Sequence, residues 1–225
     1  THRATKSYND CSRRDSFCFG RDEIGYLTRN CIVDRIQVMI WKENTLYKYD
    51  RFVTAAQQQQ QQHHDPMRRV KPEWRAQIAK WSYNVVDSFH LSRECVAVSM
   101  SIFDRYFAQY HDKTNNNIDA EAVLLVSCAT LSISIKLIEV DVLSLGALSR
   151  FSRNKYTPNE ILDMEWKVVL SLDFHLNPPT AISFAIHFLL LLPNEINEGD
   201  RKELFETTRF VVELSVADSF FVAYK

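Results

Sequence analysis

Glycine is scarce in this chain, with only 4 among 225 residues. That leaves no Gly-rich cradle for phosphate, neither a P-loop nor a dinucleotide fingerprint. Net charge is nearly absent too, at -1 from 27 basic and 28 acidic side chains. Non-specific nucleic-acid binding needs a clustered basic surface, so the balance argues against it. The 5 cysteines are odd in number and lack metal-type C-x-x-C spacing. Cys95 and Cys128 fall inside apolar stretches, where a thiol behaves as a small hydrophobe. The expectation is a reduced, intracellular protein without a structural metal. Thr1 to Asp10 is polar and does not read as a signal peptide. The longest uncharged run, Ala122 to Ile135, contains three Ser, a Cys and a Thr. It reads as a buried core helix and not as a bilayer span, so no membrane partner is expected.

What is present is helical periodicity. Residues 1–30 are polar and aperiodic and read as a loosely attached arm. From Cys31 to Tyr49, Ile32, Ile36, Met39 and Leu46 recur at helical spacing. "QQQQQQHH", residues 57–64, is a low-complexity linker, so residues 31–66 are expected to form a helix plus linker. His63 and His64 have no third ligand close by, and a solvated linker is the reading. Pro72 to Phe89 carries Ile78, Trp81, Val85 and Phe89 on one face. Ser92 can cap a helix running to about Tyr110, with Leu91 and Val96 as a hydrophobic staple. Asp119 can cap Ala120 to Leu137. Within that segment Leu131, Ile133, Ile135 and Leu137 alternate as in a strand, but continuity favours helix. A shorter helix is predicted over Val140 to Phe151. "TPNE", residues 157–160, has the cap, N1 proline and N3 glutamate of a capping box, opening a helix that ends before Pro178-Pro179. Two further helices follow. The fold class is all-α. Two final helices cannot bury their own apolar faces, so Phe220, Phe221 and Val222 are expected to seek partners.

Four charged residues fall on or beside apolar faces: Arg75, Asp104, Lys136 and Glu165. Glu165 shares the face of Ile161, Val168 and Leu172. A carboxylate there is costly unless something positive meets it.

These residues carry a resemblance to the cyclins. "WRAQIAKW" places Arg75 six before Trp81, and "FDRYF" spans 103–107. Leu125 lies eleven before Lys136, with Glu139 three beyond. "MEWKVVLSLDF", 164–174, precedes Pro179-Thr180, and "VVELSVAD", 211–218, is similar to a helix of the family's second box. The resemblance covers most of residues 31–225. It implies a five-helix cyclin box over 67–178, preceded by an N-terminal helix. Residues 179–225 would begin a second cyclin-like bundle, cut short. It implies that Arg75 and Asp104 form an internal salt bridge and that Leu125 lies at the centre of the third box helix. It also implies that Lys136 and Glu165 hold a cyclin-dependent protein kinase. The chain would then be a non-catalytic activating subunit without cofactor, metal or small-molecule substrate, found in nucleus and cytoplasm. Trp74, Ile78 and Trp81 match a substrate-docking surface, with two departures: Gln77 replaces an apolar residue and Asn84 replaces a Glu. Ile138 replaces the first Glu of the family's Lys-x-Glu-Glu run. The alternatives are a transcription-associated cyclin, or a cyclin-fold transcription factor that would want basic helices. An enzyme would have to use Glu165 and Asp173, which lie eight apart with no nucleophile or metal ligand nearby.

Overall fold

In the computed structural model, the described residues are 29–47, 70–109, 120–141, 143–193, 195–218 and 221. They form eight helices and, among these residues, no strand. The order is α1 (Arg29–Thr45), α2 (Pro72–Ser88), α3 (Glu94–Gln109), α4 (Ala120–Ile138), α5 (Leu145–Phe151), α6 (Pro158–Ser171), α7 (Ala181–Leu190) and α8 (Glu198–Ala217). The poly-glutamine stretch, its two histidines and the Asp119 cap lie outside the described residues, as do Phe220 and Val222.

The centre of the molecule is α4, packed against α3 and α6 and touching α2 and α5. Every residue from Val126 to Ile135 is buried. A helix enclosed on all sides has no polar face to give a clean 3.6-residue period. That is why Leu131, Ile133 and Ile135 mimic the alternation of a strand. The helix is long and apolar enough to cross a membrane by composition alone, but here it is the core of a helical bundle. Its buried hydroxyls are mostly satisfied locally. Ser127 donates to Leu124 O at 2.7 Å and Ser134 to Leu131 O at 2.8 Å.

Helix ends follow local chemistry. At α6, Thr157 Oγ1 accepts from Glu160 N–H while the Glu160 carboxylate accepts from Thr157 N–H, the expected capping box. The Thr157 backbone N–H and its hydroxyl, both donating to Glu160 Oε2 at 2.8 Å, hold the Glu160 carboxyl below its ordinary range. The helix predicted from Val140 begins only at Leu145, because Ser144 is its N-cap and accepts from Ala147 N–H. Val140 itself stands 91 % exposed. With so little glycine, three helices close on side-chain-bearing residues in the left-handed region: His90 (φ 55°), Arg153 (φ 58°) and Asp173 (φ 48°). In each case the following residue's N–H bonds five residues back, as Phe174 does to Val169 O at 3.1 Å.

The two last helices are not a separate body. α8 packs on α2 and α3 as well as on α7, and α1 packs on α7. Outward-facing Phe188, Phe210, Val211 and Leu214 remain exposed.

Candidate partner-binding site

Two ion pairs tie the helices of the bundle together. Arg75 on α2 meets Asp104 on α3 through two parallel bonds, Nε to Oδ1 and Nη2 to Oδ2, both 2.9 Å. Their side chains are 3 % and 1 % exposed. The remaining Arg75 nitrogen, Nη1, donates to Val216 O on the last turn of α8 at 2.8 Å. Desolvated charges survive only when every donor and acceptor is matched, and a planar guanidinium fork meets that demand well. The pairing expected of these two residues is present in the structure.

Lys136 and Glu165 also find each other. Lys136, in the last turn of α4, places Nζ 2.8 Å from Glu165 Oε1 and 2.6 Å from Oε2 on α6. The positive group that Glu165 requires is therefore inside the chain, on a neighbouring helix. The reason is the side-by-side packing of α4 and α6. The pair is unlike the first in exposure: Glu165 is 8 % exposed and Lys136 37 %. An ammonium has three donors and a carboxylate about four acceptor positions, so bonding capacity is left over on both groups.

Exposed apolar residues lie on the same two helices as this second pair. Leu137, next to Lys136, is exposed. On α6, Leu162, Trp166 and Leu170 recur every fourth residue, so they form one exposed stripe beginning next to Glu165. Phe174 follows the helix at φ 61° and is 65 % exposed. An aromatic residue in the left-handed region and turned to solvent is doubly unfavourable. Neither Trp166 nor Phe174 stands out in the sequence as a site residue. Periodicity along α6 could have found Trp166, but nothing local signals the backbone of Phe174.

Leu125 is half-buried on α4 against the core. On α2, Ile78 is a core residue, while Trp74 and Trp81 are half-buried and packed on that core. Gln77 and Asn84 lie exposed on the same helix. Among the described residues, no group of three His, Cys, Asp or Glu is placed to hold a metal ion.

A family model for the cyclin N-terminal domain matches residues 43–177. G2/mitotic-specific cyclin-1 of Medicago sativa subsp. varia is 27% identical over 173 residues, covering 77% of this chain and 38% of the relative. G1/S-specific cyclin-E1 of Gallus gallus is 28% identical over 130 residues, 57% of this chain and 31% of the relative. The chain thus spans about a third of the length of these curated relatives. Among solved structures, a viral cyclin from herpesvirus saimiri superposes with a TM-score of 0.57 at 17% identity, over 87% of this chain and 74% of that one. That likeness concerns the fold. Taken with the match across residues 43–177, the order of motifs from Arg75 to Phe174 places the chain in the cyclin family.

Proposed function

We propose that this chain is the regulatory subunit of a cyclin-dependent Ser/Thr protein kinase, acting in cell-cycle control, and that Lys136 and Glu165 hold the kinase. The chain supplies no catalytic group. It acts by binding one conformation of the kinase better than the other. In the family the box engages the kinase's regulatory C helix and draws it inward, completing the Lys–Glu ion pair required for phosphoryl transfer. The kinship with G2/mitotic-specific and G1/S-specific cyclins supports the cell-cycle assignment.

The observation that carries this reading is a charged pair flanked by an exposed apolar stripe. Free in solution, Lys136 and Glu165 satisfy each other. On binding, the spare donor and acceptor positions can take polar groups of a partner without breaking the pair. Leu162, Trp166 and Phe174 would be covered at the same time, removing apolar surface from water.

The test is to titrate the purified chain into each of a panel of purified cyclin-dependent kinases, following binding and phosphorylation of a peptide substrate. Saturable binding with increased turnover is expected for at least one kinase. No binding to any member, with DNA binding that weakens steeply as salt rises, would instead support a cyclin-fold transcription factor. Nuclear and cytoplasmic residence follows from the same proposal and is checked by imaging the tagged protein.

A further inference from the structure

Three consecutive residues at the corner between α2 and α3 bond to three different parts of the molecule. The Ser92 backbone N–H donates to Glu139 Oε1 at 2.7 Å. Glu139 lies three residues beyond Lys136, and its own N–H still bonds Ile135 O at 2.9 Å, so it continues the last turn of α4. Arg93 is held by both oxygens of Asp87 at 2.9 Å and also reaches the Glu213 carboxylate on α8. Its guanidinium stands 5.2 Å from the Tyr83 ring, whose hydroxyl donates to Glu213 O at 3.3 Å. Glu94 Oε1 accepts from Thr180 Oγ1 at 2.7 Å and from Ser183 Oγ at 3.1 Å, the residues that cap α7. Ser92 Oγ accepts from the Glu94 N–H at 3.2 Å, closing the corner on itself.

A contiguous set of hydrogen bonds therefore runs from α7 and α8, through a three-residue corner, to the end of α4 that carries Lys136. We propose that this corner positions Lys136 for its partner, with Arg93 and Glu94 as positioning residues that make partner affinity depend on the seating of α7 and α8. The inference rests on the reading of Lys136 as a binding residue. The physical case is the shortness of the corner. Ser92, Arg93 and Glu94 share a backbone already bonded at each end, so a shift that frees Arg93 or Glu94 from α8 or α7 moves the Ser92 N–H against Glu139. A double-mutant cycle measures this coupling directly.

The experiment uses the full chain and a kinase it binds. Glu94→Ala and Arg93→Ala are each expected to weaken that binding by about three- to thirty-fold, the range typical of long-range coupling. Glu94→Gln keeps an oxygen acceptor for Thr180 and Ser183 and should retain most of the affinity. The double variant Glu94→Ala/Glu139→Ala should bind no worse than Glu139→Ala alone, because both act through the same corner. Hydrogen exchange in Glu94→Ala should rise at residues 134–138 as well as in α7. Unchanged kinase affinity in both alanine variants, or a double variant that multiplies the single effects, overturns the inference. Should the unmodified chain bind no kinase, the proposed function fails on its own account. The exchange measurement still decides the coupling, since unchanged protection at residues 134–138 in Glu94→Ala refutes it.

Discussion

Arg75–Asp104 and Lys136–Glu165 use the same chemistry at the same spacing, 29 residues apart in sequence and one helix-to-helix contact in space. What separates them is water. The first pair is sealed between α2 and α3 and spends its last nitrogen on α8. The second lies at the edge of the bundle, with Glu165 covered and Lys136 more than a third exposed. A sealed pair can do nothing but hold helices together. A half-open pair can hold them and still bond something else. The lesson is that a charged residue on an apolar face signals a partner, while exposure decides whether that partner can be shared.

The sealed pair offers the largest effect. Asp104→Ala strands a buried guanidinium and should destabilise the protein by roughly 3–5 kcal/mol, measured by urea denaturation. A loss of under about 1 kcal/mol would mean the pair is solvated. The half-open pair should respond asymmetrically. Lys136→Ala leaves a covered carboxylate without its cation and should cost about 1–3 kcal/mol. Glu165→Ala leaves an ammonium that can turn to water and should cost less than about 1 kcal/mol. Equal losses would show that both groups are equally buried and would undo the distinction.

A third pair extends the comparison to the exposed limit. Asp87 and Arg93 are 46 % and 38 % exposed, and Asp87→Ala should change stability by only about 0–1 kcal/mol. The Arg93 hydrogen bonds hold the Asp87 carboxyl below its ordinary value of 3.8. A depressed carboxyl pKa contributes stability that is fully present above the unfolded value and is lost as pH falls through the folded one. The contribution of Asp87 should therefore be constant at neutral pH and fade only below about pH 4. A difference between wild type and Asp87→Ala that disappears near pH 7 would contradict this.

Much of the fold is legible in the sequence because it is written in local chemistry. The Thr157–Glu160 capping box, the Pro72 start of α2 and the apolar faces of α2, α3 and α6 depend on residues within a turn or two of one another. The pattern starts α5 early because apolar Val140 and Leu143 prolong it, whereas Ser144 sets the boundary. The candidate site was legible only in half. Periodicity puts Glu165 on the core face of its own helix and so announces a missing cation. Which residue of a neighbouring helix lies opposite depends on packing, and a separation of 29 residues hides it. The same holds for the Ser92–Glu94 corner, whose partners Glu139, Thr180 and Glu213 are 47, 86 and 120 residues away.

The most direct test of the central claim compares Glu165→Ala with wild type in one preparation, measuring affinity for the partner kinase and the melting temperature together. Truncating a hydrogen-bonded charge at an interface typically costs about 2–5 kcal/mol, or roughly thirty-fold to several thousand-fold in affinity. A loss of that size with a melting temperature lowered by only a few degrees is the expected result. Kinase affinity within about twofold of wild type, alongside a markedly lower melting temperature, would make Lys136–Glu165 a second structural clamp and contradict the account.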